Sequence, residues 1–220
     1  MTHAGSALPV ARVPRLQREG TGPWTGDWSA LPALAPFWTA DGSRGAREQT
    51  HARVGHDGTA LHVRFDCDDE DIWGTLTRRD DPIYEEEAVE IFLAPGGEDP
   101  VEYFEFEVSP LGTLFDARVR NPRSRREEMC VDPGWNCPGI AWRAGVDRPS
   151  RRWWAELVVP WSSLSPRAEI PALWRANLYR IERPRGGHPE FSCWSPTFTD
   201  PADFHKPACF GVLDLRGSLP

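Results

Sequence analysis

Carboxylates recur at alternate positions near the middle of the chain: Glu90 within Ala88–Leu93, then Glu105 and Glu107 within Val101–Val108, with Tyr103 in the same register. Spaced two apart on extended backbone, such residues share one face. Asn177 and Tyr179 stand in the corresponding positions around Leu178. If these strands are neighbours, one surface presents rings, an amide and carboxylates together. Those are the groups a pyranose needs, with its apolar C–H face for an aromatic ring and its hydroxyls for paired donors and acceptors. The same residues also read as the solvent side of any half-buried strand, balanced by arginines. Periodicity does not choose between the two.

The elements that must position these groups are strands. Val89, Ile91 and Leu93 alternate against Ala88, Glu90 and Phe92, and Phe104, Phe106 and Val108 alternate against Tyr103, Glu105 and Glu107. Ser109-Pro110-Leu111-Gly112 reads as a turn into a hairpin partner over Leu114–Val119. Further strands are predicted over Leu61–Phe65, Ile140–Val146, Trp153–Val159, Leu173–Ile181 and Phe210–Leu215, with one helical turn at Trp161–Leu164. Trp153 and Trp154 are adjacent, so one should enter the core and the other face outward. Residues 120–138 read as a polar loop, residues 1–22 as a surface N-terminal segment, and 23–216 as one domain. With no βαβ rhythm, an all-β fold follows: an antiparallel β-sandwich of two sheets with jelly-roll-type architecture.

Composition agrees and excludes alternatives. The 220 residues hold 22 Pro and 19 Gly, too many breaks for a helical bundle, while 40% hydrophobic residues, among them 11 Trp, exclude a disordered chain. A net charge of −8 argues against nucleic acid or anionic lipid as main partner. No apolar stretch approaches the ~18 residues of a membrane span. The N-terminus lacks the basic and apolar regions of a secretory signal, which favours a cytoplasmic protein unless the start is misassigned. Five cysteines without a CxxC pair do not suggest structural zinc; a Cys130–Cys137 disulfide and free thiols are both open.

Several segments, in order, resemble carbohydrate-binding module family 9, a DOMON-type sandwich. They are Ala88-Val89-Glu90-Ile91-Phe92, the hairpin from Tyr103 to Asp116, Trp154-Ala155-Glu156 with Val159-Pro160-Trp161, Trp174 to Arg180, and Cys193 to Thr197 with Asp203 to Gly211. The resemblance spans roughly residues 24–215. It implies a non-catalytic grip on a terminal sugar or monosaccharide, associated with polysaccharide breakdown and a partner glycosidase. Two aromatics would clamp the sugar, Trp194 and Tyr84, and Glu90 would bind hydroxyls. Tyr179 falls where the family carries glutamine and Glu107 where it carries arginine, while Asn177 and Arg180 keep polar reach nearby. The resemblance also implies calcium. Asp66, Asp68, Asp69 and Asp71 are the candidate ligands, though they lack EF-hand spacing and its Gly. Other outcomes are a glycoside hydrolase using the clustered glutamates, a sandwich interaction domain with a degenerate sugar site, and a haem domain, for which Met1 and Met129 supply axial ligands poorly. His205 reads as a structural histidine.

Overall fold

The computed structural model describes residues 7–16, 22–24, 27–165 and 169–218. Among these, strands fall into two sheets stacked face to face. The smaller sheet has the order β3 (Thr50–His56), β4 (Ala60–Asp68), β10 (Arg152–Pro160) and β9 (Ala141–Asp147). The larger runs β1 (Val10–Arg12), β13 (Gly211–Asp214), β11 (Leu173–Glu182), β5 (Ala88–Pro95), β6 (Glu102–Val108), β7 (Leu114–Arg120) and β8 (Cys130–Asp132). Two short strands, β12 (Glu190–Cys193) and β2 (Trp38–Thr39), extend it beyond β11. All pairings are antiparallel except β1 with β13, so the antiparallel sandwich expected from the sequence is what the chain forms.

Alternation explains the layers. Val89, Ile91 and Leu93 of β5, Phe106 and Val108 of β6, and Trp174, Ala176 and Leu178 of β11 point inward and meet Val63, Phe65, Trp153, Ala155 and Leu157 of the smaller sheet. Each such side chain contributes about 1.5–3 kcal/mol by leaving water. Trp161, in the single helical turn Trp161–Leu164, packs on Trp174 at 4.7 Å between ring centroids. Of the adjacent pair on β10, Trp153 is buried in this core, while Trp154 faces out beneath the Arg64 guanidinium at 4.3 Å. Gly112 closes the β6–β7 turn at φ +81°, a left-handed conformation that glycine adopts without cost, and donates to the Ser109 carbonyl.

Two stretches depart from expectation. Within residues 1–22, expected to run over the surface, residues 7–16 supply β1 and bury Ala11, Val13 and Leu16; the parallel contact with β13 gives them backbone partners that local sequence does not reveal. Residues 1–6 and 17–21 lie outside the described residues. Within the expected loop over 120–138, Cys130–Asp132 pairs with β7 and prolongs the larger sheet. Cys130 is exposed and Cys137 buried, and the two are not joined.

Candidate functional site

The outward face of the larger sheet carries the predicted groups. Register places Glu90 opposite Glu107 on β6 and opposite Tyr179 on β11, and Glu107 opposite Phe115 on β7. One row across four strands therefore reads Tyr179, Glu90, Glu107, Phe115. The next row reads Asn177, Phe92, Glu105, Ala117. A cleft of about 580 Å³ opens over these rows; Glu90, Glu105 and Glu107 lie in it with Phe92 and Phe115, and Tyr84, Phe191, Phe204 and His205 stand around them.

The floor is acidic and dry. Glu90, Glu105 and Glu107 are 2%, 5% and 1% exposed, and a carboxylate oxygen from each lies within 4.8 Å of the others. Burial raises all three acids above the ordinary carboxylate range, Glu105 to about 7; at Glu90 and Glu107 the neighbouring carboxylates raise them further.

The walls are aromatic. Tyr84 sits in the one-turn helix Ile83–Glu85, 42% exposed and edge-on to Phe115 at 5.6 Å. Phe191 stands on β12 opposite Ile181, with the Arg183 guanidinium 5.2 Å from its ring centre. Arg183 also donates to the Tyr84 carbonyl at 3.4 Å, tying the two rims together. His205 stacks on Phe92 at 5.2 Å and shares a 2.8 Å hydrogen bond with the Tyr103 hydroxyl. Burial holds its imidazole down at about 4, so it is neutral at physiological pH. That is the structural histidine the sequence suggested. Met129 also contacts the Tyr103 hydroxyl. Both candidate ligands are thus engaged with the Tyr103 hydroxyl and not free for a metal, so the residues as placed do not fit a haem.

Other predicted site residues lie elsewhere. Trp194 is 4% exposed and belongs to the core between the sheets. The reason is parity. Phe191 and Cys193 pair with Ile181 and Tyr179 and so face the cleft side, which sends Trp194, whose N–H bonds the Leu178 carbonyl, to the core side with Leu178. Tyr179 is fully buried beneath Phe204, ring centroids 4.2 Å apart, and donates to the Phe204 carbonyl at 2.9 Å. Asn177 holds Ser195 through a 2.7 Å bond to its carbonyl and a 3.0 Å bond from its N–H. Both support the cleft without lining it.

Arg180 faces the opposite way from Tyr179 and is buried. It donates to the Asp68 carbonyl at 2.6 Å, to Asp69 at 3.0 Å and to Glu182, and its guanidinium lies 5.7 Å from the Trp153 ring centre. The expected calcium ligands do not converge. Asp66 pairs with Arg53 and Arg64, Asp68 with Arg152, Asp69 with Arg180 and Asp71 with Arg185. Asp69 does gather with Glu87 and Glu182, but Arg180 already serves that cluster as its cation. The acidic run therefore does not fit a calcium site.

Phe191, Phe115 and Arg183 were not legible as site residues. The signal was in the register: Phe191 lies three positions before Trp194, hence on the other face of any strand containing both.

A two-sheet sandwich with an acidic floor and aromatic rims on one outer face is the form of a small-ligand binding module. The model of carbohydrate-binding family 9 matches residues 39–215, and the chain belongs to that family. It is 25% identical to an extracellular protein of Arthroderma benhamiae over 169 residues, which is 74% of this chain and 76% of that one. Among solved structures, a Bacteroides uniformis protein proposed to bind carbohydrate superposes with a TM-score of 0.73 at 18% identity, covering 96% of this chain and all of its own. A family 9 module from Caldicellulosiruptor kristjanssonii in complex with glucose gives 0.65 at 12% identity, covering 95% and 96% of the two chains.

Proposed function

We propose that the protein is a non-catalytic carbohydrate-binding module that holds a monosaccharide or a terminal sugar in the cleft, with Tyr84 and Phe191 on its rims and Glu90 and Glu107 beneath. The observation that carries this reading is the cross-strand pair Glu90–Glu107 on the floor of an aromatic-walled cleft. Rings at the rim suit the apolar C–H face of a pyranose, and carboxyl groups below suit its hydroxyls. Hydroxyl hydrogen bonds exchange against water at a net ~0.5–1.5 kcal/mol each, so affinity is modest.

Binding is favoured over hydrolysis by placement. Glycosidases set two carboxyl groups on either side of the scissile bond, about 5–5.5 Å apart for retention or 6.5–9.5 Å for inversion. Here a carboxyl oxygen from each of the three glutamates lies within 4.8 Å of the others, closer than either separation. The module would then serve polysaccharide breakdown alongside a separate glycosidase. Calorimetric titration with glucose and cellotriose tests the reading: saturable binding, abolished in Tyr84→Ala/Phe191→Ala, is expected. Turnover of aryl glycosides that disappears in Glu90→Gln would overturn it.

A further inference from the structure

Buried acids in this chain are matched with donors nearly everywhere. Glu156 has Arg64 and Arg143, Asp116 has Arg79, Glu190 has Arg44, and Glu86 accepts from Thr75 and from two backbone N–H groups. Two buried groups stand apart: Glu87, whose Oε1 has no partner but whose cluster with Asp69 and Glu182 is served by Arg180, and the cleft floor, which has no cation in contact. Among the described residues no arginine, lysine, histidine or backbone N–H lies within hydrogen-bond distance of Glu90, Glu105 or Glu107. Glu107 Oε2, on a side chain 1% exposed, has no hydrogen-bond partner, and the side chain that the Glu107 carboxyl does meet is Glu105, itself an acid. The two arginines of the cleft are occupied at its rim, Arg126 with Asp203 at 3.1 Å and Arg183 with Phe191 and the Tyr84 carbonyl. Buried carboxyl groups with no cation in contact are costly to ionise, and these three open onto the ligand space. They call for a cation on the ligand.

The shape of the floor selects the kind of cation. Calcium takes 6–8 oxygens at 2.3–2.6 Å and commonly recruits backbone carbonyls. Here the carbonyls of β5 and β6 are spent in the sheet ladders to β11, β6 and β7, leaving three side chains. A primary ammonium has three N–H donors. With N···O near ~2.8 Å and tetrahedral directions, it sets its acceptors about 4.6 Å apart, a spacing that three carboxyl groups with oxygens no more than 4.8 Å apart can accommodate. Five rings around the cleft, Tyr84, Phe92, Phe115, Phe191 and Phe204, suit a cation borne on carbon.

We propose that the cleft selects an amino sugar with a free, protonated amine, its ammonium directed to Glu90, Glu105 and Glu107 and its ring held by the aromatic rim. This rests on the sugar-binding reading of the same cleft. The test is calorimetric titration of the full chain near neutral pH, in MOPS because Tris is itself a primary amine and phosphate precipitates calcium, with glucosamine, N-acetylglucosamine, glucose and calcium chloride. Glucosamine is expected to bind at least about tenfold more tightly than glucose, since hydrogen bonds to charged groups are the stronger kind. Acetylation of the amine should erase the gain. Glu107→Gln, and separately Glu105→Gln, each checked for a cooperative melt, should cut the preference to about threefold or less.

Equal affinity for glucosamine and glucose, or a preference that survives both substitutions, would overturn the amino-sugar assignment and leave the sugar site standing. Calcium binding more tightly than glucosamine would overturn it in favour of a metal. A folded protein that binds none of the sugars would overturn the sugar site as well.

Discussion

Glu90 and Glu107 face each other directly across β5 and β6, two buried carboxyl groups on the outer face of one sheet. Like charges opposite one another on neighbouring strands are destabilising, and dry surroundings enlarge the penalty. The pair is tolerated because burial and proximity keep protons on it. A floor that trades protons for a ligand's cation has consequences for both stability and binding.

The first consequence is a pH dependence of stability. A carboxyl group that ionises near ~4.3 in the unfolded chain but at about 7 in Glu105 and Glu182, and about 9 in Glu87, holds its proton longer when folded. Its stabilisation is present below the unfolded value and lost as pH rises through the folded one. Glu90 and Glu107, also raised, act in the same direction. His205 and His56, both lowered, act in the opposite sense, but only below the ordinary histidine value of 6.5. Tm is therefore expected to fall between about pH 6.5 and 9, and to fall less steeply in Glu107→Gln. Tyr84 at the rim, raised by burial and by the neighbouring Glu107, acts only above the ordinary tyrosine value of ~10. A melting series showing a flat or rising Tm over that interval would contradict this account.

The rims should matter to binding and little to folding. Tyr84 is 42% exposed and Phe191 only partly buried. Face contacts of this kind are worth about 0.5–1.5 kcal/mol, or roughly two- to tenfold in affinity. Tyr84→Ala and Phe191→Ala are each expected to weaken sugar binding by that factor in calorimetry, with Tm shifted by only a few degrees. A collapse of Tm in Tyr84→Ala would mean that it covers Phe115 as structure rather than facing a ligand.

Much of this architecture was legible in alternation. The facing of Val89, Ile91 and Leu93 against Glu90 and Phe92 follows from period two, and pairing β5 with β6 brings Glu90 to Glu107 as expected. What alternation could not supply was the parity of a four-residue strand. In Glu190–Cys193 too few residues alternate to separate cleft from core, so the family resemblance alone pointed to Trp194 although Phe191 is the ring the register delivers. The roles of Asn177, Tyr179 and Arg180 were hidden for a different reason. Each is decided by a segment distant in sequence: the Ser195 loop, the Phe204 cap and the Asp69 turn.

Arg180 should prove a structural cation. Its guanidinium is fully buried and serves Asp69, Glu182 and the Asp68 carbonyl. Removing one partner of a buried ionic group leaves the others uncompensated, at about 3–5 kcal/mol. Arg180→Ala is expected to lower stability by that order in urea denaturation. Adding Glu182→Gln should recover part of the loss, since one of the stranded carboxylates is then neutral. A double variant less stable than Arg180→Ala alone would show that Glu182 does not depend on this cation.

Trp194 offers the sharpest separation of core from site. Its ring packs over Gly211, where an added Cβ would come within 2.5 Å of the indole and 2.7 Å of the Pro9 carbonyl. Backbone on one side and the inter-sheet core on the other leave it little room to move. Trp194→Ala therefore opens a cavity rather than a binding face, and deleting a buried tryptophan costs about 3–5 kcal/mol. Gly211→Ala should destabilise by overpacking, typically ~1–3 kcal/mol. Both variants are expected to lower Tm markedly while, at a temperature where they remain folded, glucose affinity changes less than about twofold. Binding lost from a folded Trp194→Ala protein would return this residue to the site.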